Sequence, residues 1–140
     1  NLSRANLSDA NLSGANLRHA NLIRANLSRS TGLVDPIMWI NELERTPDGV
    51  VAYKCFASVF APPTKWKLEP GSIITEVCHS DRTIDCACGI NVSTRDWPEL
   101  GSINVWRCLI RWAWLPGVVV PYNTTGKFRC ARLELVEKIS

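Results

Sequence analysis

The chain of 140 residues is 46% hydrophobic and 21% charged, a globular composition far from a disordered one. Its longest apolar stretch, near Leu109–Leu115, is interrupted by Arg111 and falls short of the ~20 residues of a membrane helix. The net charge of +3 resides in residues 1–30, where Arg4, Arg18, Arg24 and Arg29 face Asp9 alone; the other 12 of 16 basic and 12 of 13 acidic residues cancel.

Four arginines could touch phosphate only weakly, and they read as a solvated face, which argues against a nucleic-acid partner. Six cysteines in a short chain raise the question of a disulfide framework. The Trp, Val, Ile and Leu content suffices for a core without such staples. Reduced thiols in a cytoplasmic protein are therefore expected.

Residues 1–30 align at a period of five: NLSRA, NLSDA, NLSGA, NLRHA, NLIRA, NLSRS. Leu recurs at Leu2, Leu7, Leu12, Leu17, Leu22 and Leu27, and Ala at Ala5, Ala10, Ala15, Ala20 and Ala25. Neither the 3.6-residue helical period nor the two-residue strand period accounts for this. A short self-similar period signals a solenoid. The two remaining positions of each unit are polar except at Ile23, as an outer surface requires; Ile23 is expected to pack on the following domain.

This segment resembles the pentapeptide-repeat family, whose pattern is Ala-(Asp/Asn)-Leu-X-X. The resemblance implies a right-handed quadrilateral β-helix, one unit per side, with Leu filling the interior and Ala lining it. Six sides make about one and a half coils, too few to bury their own faces. The stub must lean on the rest of the chain, on a second copy or on upstream coils. The chain opens inside the repeat pattern, so further repeats before Asn1 are expected. The phase breaks at Thr31–Gly32–Leu33, where Leu arrives one residue late.

Asp35–Pro36 followed by IMWINELER reads as a capped helix, with Asp35 as N-cap and Pro36 at the first helical position. Ile37, Ile40 and Glu44 share one side of it. This helix is expected to cover the open end of the β-helix, since an exposed edge invites aggregation. The Thr46–Gly49 turn stops it. Strands are then predicted at Val50–Phe60, Ser72–His79, Gly89–Thr94, Asn104–Leu115, Val118–Pro121 and Lys127–Ile139. A short helix is predicted near Thr94–Leu100. In the last strand, Phe128, Cys130, Arg132, Glu134 and Val136 should face one way and Ala131, Leu133 and Leu135 the other.

The expected organisation is a β-helix over residues 1–33, a capping helix and linker over 34–47, and a mostly antiparallel α+β domain over 48–140. Residues 48–140 are similar to a domain of unknown function that follows pentapeptide repeats in bacterial and phage proteins. VAYKCF, WKLEPGSIITEV, DCACGINVST and LPGVVVPYNTTGKFRCARLEL carry that similarity. It implies a domain arrangement and transfers no activity.

Among groups that carry chemistry, Cys78, His79, Cys86 and Cys88, with Asp81 and Asp85 nearby, are a candidate metal set, because thiolate and imidazole suit zinc. The spacing lacks paired knuckles, so core packing and a turn-capping His79 rank ahead of a zinc site, and no cofactor is expected. Trp106, Trp112 and Trp114 with Arg107 and Arg111 could stack bases or sugars; a Trp-rich core with arginines on the wet face ranks ahead.

The first-ranked function is a non-enzymatic structural or binding module, a repeat stalk carrying a recognition or cap domain. Its partner would be a protein, or a second copy through the β-helix end. The runner-up is a small transferase or hydrolase in the C-terminal domain, with the repeats as a handle. Transferases that use a nicotinamide dinucleotide carry an aromatic-basic strand similar to Tyr53–Lys54 and a Ser-Thr strand similar to Ser93–Thr94. A cleft that gathers an acid and a base discriminates the two. DNA mimicry, which some pentapeptide-repeat proteins use against gyrase, needs a long acidic rod; this repeat is short and basic.

Overall fold

The computed structural model describes residues 1–56 and 61–140. The end of the predicted Val50–Phe60 strand, residues 57–60, lies outside the described residues.

Each five-residue unit is a turn built the same way. The Asn side chain accepts the N–H of the residue two positions on, at 2.9–3.1 Å in all six units. The N–H of the residue closing each unit then bonds the Leu carbonyl three back, from Ala5 to Leu2 (3.1 Å) through Ser30 to Leu27 (3.1 Å). The fourth residue of every unit has positive φ: Arg4, Asp9, Gly14, His19, Arg24 and Arg29. A 4→1 bond with positive φ at the third turn position is type II geometry. Non-glycine residues adopt it reluctantly, and the Asn bond and the stacking of coils offset that cost.

Twenty residues later the chain returns over itself. Leu2, Leu7 and Leu12 donate to the carbonyls of Asn21, Asn26 and Thr31 at 2.8–2.9 Å. Parallel bridges join Asn6 to Asn26 and Asn11 to Thr31. Four units therefore complete one coil. Asp9 and Arg29 stack across it in a bidentate pair at 2.6 Å, exposed and so of little consequence for stability.

Of the repeat leucines, Leu22 is fully buried, while Leu2, Leu7, Leu12, Leu17 and Leu27 are half-buried. Ala5, Ala10, Ala20 and Ala25 are half-buried and Ala15 is exposed. Leu22 is sealed because the rest of the chain docks beside it: Asn123 Nδ2 donates to the Ala20 carbonyl (2.7 Å), and the Arg24 N–H donates to Thr83 Oγ1 (3.2 Å). Ile23 stays 43% exposed, so it does not provide the seal its sequence suggested. The coil ends at Gly32, whose φ is +79° and whose missing Cβ would stand 2.2 Å from the Ser13 backbone nitrogen. Glycine alone permits that approach.

Helix α1 spans Pro36–Asn41, with Asp35 accepting from the N–H groups of Ile37 and Met38. It is shorter than its pattern implied. A tightened last turn, Leu43 N–H to Ile40 carbonyl (3.1 Å), delivers Leu43 into the core instead. Trp39 meets Phe128 edge-on at 5.1 Å, whereas Ile37 and Met38 remain 72% and 68% exposed. Trp39 also borders a small hollow against Ala15, Leu17 and Gly32 of the coil. Among the described residues, no helix is long and apolar enough to cross a membrane.

The remainder is mostly antiparallel sheet. Strands β1 (Arg45–Thr46) and β2 (Gly49–Cys55) form a hairpin across Pro47–Asp48. Then follow β3 (Ile73–Thr75), β4 (Ile90–Ser93), β5 (Val105–Arg111), β6 (Val118–Val119), β7 (Lys127–Cys130) and β8 (Arg132–Lys138). The order across the sheet is β3-β8-β5-β2-β4-β7-β6. Ala131 alone separates β7 from β8, yet three strands lie between them. The sheet must therefore roll back on itself, without hydrogen bonds closing the roll among the described residues. Val50, Ala52, Trp106, Cys108, Ile110, Phe128 and Leu133 fill the concave side.

Three expectations change here. Phe128, Cys130, Leu133 and Leu135 all join that one core, because the break at Ala131 resets the alternation. The predicted strand Asn104–Leu115 ends at Arg111 and becomes a 3-10 helix at Trp112–Gly117. There the Trp112 indole N–H bonds the Pro47 carbonyl (2.7 Å), and Pro116 cannot donate to a ladder. Thr94–Leu100 forms successive turns and no helix, through Trp97 N–H to the Thr94 carbonyl and Leu100 N–H to the Trp97 carbonyl.

Leu22→Ala should cost about 2–5 kcal/mol in denaturant unfolding, as for buried leucines generally. Leu2→Ala, at a half-buried repeat of the same chemistry, should cost clearly less. Equal costs would contradict the docking of the sheet against the coil at Leu22.

Candidate ligand-binding cleft

β2 runs in register with β5 from Gly49↔Arg111 to Cys55↔Val105, and β4 with β7 from Ile90↔Cys130 to Ser93↔Lys127. Among the described residues, β2 and β4 pair at Tyr53↔Ser93 alone. The two halves of the sheet thus part at this junction. The opening is a cavity of about 650 Å³ with a mainly apolar lining that includes Phe56, Trp66, Val92, Trp97 and Leu100.

Polar groups of the lining are few and definite. Lys54 is largely buried, and its ammonium donates to the Asn91 carbonyl (2.9 Å) and lies 5.2 Å and 6.0 Å from the Phe56 and Trp66 ring centres. Burial holds its pKa below the usual lysine range. No carboxylate among the described residues pairs with it. Among the described residues, the hydroxyl of Ser93, 1% exposed, has no hydrogen-bond partner, and Asn91 Oδ1 is likewise buried and unpartnered. Both residues line the cavity. Buried polar atoms left in this way are uncommon and point to a use.

Two aromatic side chains of the lining are anchored by hydrogen bonds. The Trp66 indole N–H is tied to the Thr75 carbonyl (3.0 Å) and that of Trp97 to Thr125 Oγ1 (3.1 Å). Tyr53 donates its hydroxyl to Glu44 (2.7 Å), which also accepts from Arg107 (3.1 Å). The Tyr53 bond is the main reason Glu44 titrates below the usual carboxylate range, with Arg107 adding to it. Lys127 stands at the cavity lining, 5.9 Å from the Trp97 ring centre.

The candidate metal residues lie on two neighbouring segments joined by the His79 N–H to Cys88 carbonyl bond (2.8 Å). Cys86 and Cys88 line the cavity, with the Cys88 thiol donating to the Val77 carbonyl (3.2 Å). Cys78 lies against Gly89, and exposed His79 accepts the Asp81 N–H at Nδ1 (3.2 Å). Among the described residues, no group of three or more His, Cys, Asp or Glu is assembled to hold a metal ion.

Residues 79–84 instead form a clasp organised by Arg129, a residue that sequence reasoning passed over. Its fully buried guanidinium donates to the carbonyls of His79 (2.8 Å), Ile84 (2.8 Å) and Asp81 (2.5 Å). Asp81 accepts from the Thr83 hydroxyl (2.7 Å), and Thr83 in turn receives the Arg24 N–H of the coil. Arg82 reaches the carbonyls of Val34 (2.6 Å) and Val120 (2.7 Å). The sole cue was an Arg among alternating core residues of a strand.

The Trp–Arg set is not one surface. Trp106 is buried in the core, whereas Arg107 pairs with Glu44 on the opposite face. Trp112 is exposed beside Arg45, and Trp114 lies between Arg111 and Arg132, with Arg111 bound to Glu134 (2.6 Å).

Residues 1–31 match the family described as pentapeptide repeats (8 copies), so this segment is a pentapeptide-repeat array, a pattern that implies a β-helix. No curated protein and no solved structure matches the chain.

All six thiols are free. Burial raises the Cys108 pKa to about 12 and pushes Cys130 up as well, which suppresses their thiolates at neutral pH. At pH 8 a disulfide reagent should label exposed Cys86 and Cys88 within minutes and Cys108 and Cys130 only after unfolding. Mass mapping of the labelled peptides checks this; rapid native labelling of Cys108 would contradict its place in the core.

Proposed function

We propose that the protein is a binding module, in which a pentapeptide-repeat β-helix, right-handed and quadrilateral, carries a sheet-rich recognition domain whose cleft between β2 and β4 takes a small ligand. The division is a repeat scaffold over 1–33, a linking helix over 34–47 and the recognition domain over 48–140. The observation that carries the proposal is the aromatic cleft whose lining holds half-buried Lys54 without a carboxylate partner, and buried Asn91 Oδ1 and Ser93 Oγ without hydrogen-bond partners, among the described residues. Half-buried Leu2, Leu7 and Leu12 support a further role for the open coil end, stacking on additional repeats, a second copy or another protein.

Saturation-transfer NMR against a set of aromatic and aliphatic fragments tests this. Aromatic fragments should compete for one site and shift the indole N–H signals of Trp66 and Trp97. Fragments that bind solely at Trp112 and Trp114, or none at all, would refute the cleft as a ligand site.

A second reading, a transferase using a nicotinamide dinucleotide, is favoured by one observation. The Tyr53↔Ser93 pair sets these two residues side by side in this cleft, whose lining also includes Lys54 and the acid Glu99. On that reading the protein releases nicotinamide from the dinucleotide, and Ser93→Ala lowers the rate at least tenfold. Absence of nicotinamide release above the no-protein control would set it aside.

A further inference from the structure

Resting on the binding reading above, we infer that the cleft recognises a planar aromatic monocarboxylate, its carboxylate held by the Lys54 ammonium and its ring lodged against Trp66 and Trp97. An ammonium has three donors and no acceptor. That of Lys54 uses one on the Asn91 carbonyl, which leaves two, and no carboxylate among the described residues balances its charge. The Ser93 hydroxyl, in the same lining on the Tyr53 side of the sheet, has no partner among the described residues. A cation with spare donors in a mostly apolar cavity is complementary to an oxyanion.

The charge of the ligand follows from the same count. Lys54 and Lys127 are both half-buried in this lining, but Lys54 lies at the Asn91 carbonyl beside the Phe56 and Trp66 rings, whereas Lys127 lies against Trp97. One buried ammonium neutralises one negative charge. A phosphate dianion on Lys54 would leave net charge in a low-dielectric site, a costly arrangement. Glu76 and Glu99 also border the cavity and oppose a second negative charge; Glu76 is itself engaged by Lys65 (3.4 Å).

The shape of the ligand follows from the walls. Trp66 and Trp97 are anchored through their indole N–H groups, so they offer fixed aromatic surface at low entropic cost. A volume of about 650 Å³ lies within the range of small-molecule pockets and accommodates a bicyclic ring. Asn91 Oδ1, also buried in this lining and without a partner among the described residues, can accept a ring N–H or hydroxyl.

Isothermal titration of the whole chain with 2-naphthoate, 2-naphthamide and 2-naphthyl phosphate decides the matter. The carboxylate should bind at least tenfold more tightly than the isosteric amide and than the phosphate. Lys54→Met should erase the preference for carboxylate over amide while amide binding persists, which also shows that the variant is folded; Lys127→Met should leave the preference in place. Equal binding of carboxylate and amide, with competition between them, would overturn the anion inference and leave the cleft as a neutral aromatic site. Tighter binding of the phosphate, lost in Lys127→Met, would overturn the single-charge argument. No binding by any of the three would overturn the ligand class; binding of none of the wider fragment set would remove the cleft reading itself.

Discussion

The Arg129 guanidinium is the interaction on which the arrangement of the parts depends. It carries a positive charge fully out of water and meets no carboxylate there; three backbone carbonyls of the 79–84 loop satisfy it. Burying a charge in this way is tolerable when its hydrogen bonds are filled, and removing it would leave those carbonyls stranded. Through that loop, Asp81 and Thr83 receive the coil and Arg82 grips its exit at Val34. Arg129 also stands opposite Asn91 in the β4–β7 ladder. The same residue therefore fixes the strand that forms one wall of the cleft.

The repeat segment shows how a short motif encodes a turn. Asn caps, Leu fills, and the fourth position adopts positive φ whether it is Arg, Asp, His or Gly. Side-chain identity at that position is free because it points outward, and the backbone is held by the Asn bond on one side and the 4→1 bond on the other. One and a half coils cannot enclose a core, which is why a fully buried leucine occurs where the sheet covers the array.

The cleft arises from a topological constraint. β7 and β8 are joined through one residue but pair with different halves of the sheet, so the sheet must roll. β2 and β4 follow different halves of that roll and part after a single pair. The backbone there cannot continue a ladder, and side chains from both faces border the gap. Lys54 comes from the core-facing row of β2, whereas Tyr53 belongs with Leu100 and Val105 on the other.

The sequence by itself determined what depends on near neighbours. The period of five, the array that ends near Gly32, the Asp35–Pro36 helix start and most strands were legible because turns, caps and alternation act over a few residues. Helix length, the 3-10 turn at Trp112 and the phase break at Ala131 were decided by partners far along the chain: Pro47 for Trp112, and β4 and β5 for the two strands around Ala131. The cysteine–histidine cluster drew attention because its residue types suit a metal, yet residue type does not set where a side chain points. Lys54 and Ser93 stood out only through two-residue similarities that are common by chance, and Asn91 carried no motif at all. Their significance lies in burial without a full set of partners, a property that exists only once the roll of the sheet has brought distant strands to one opening.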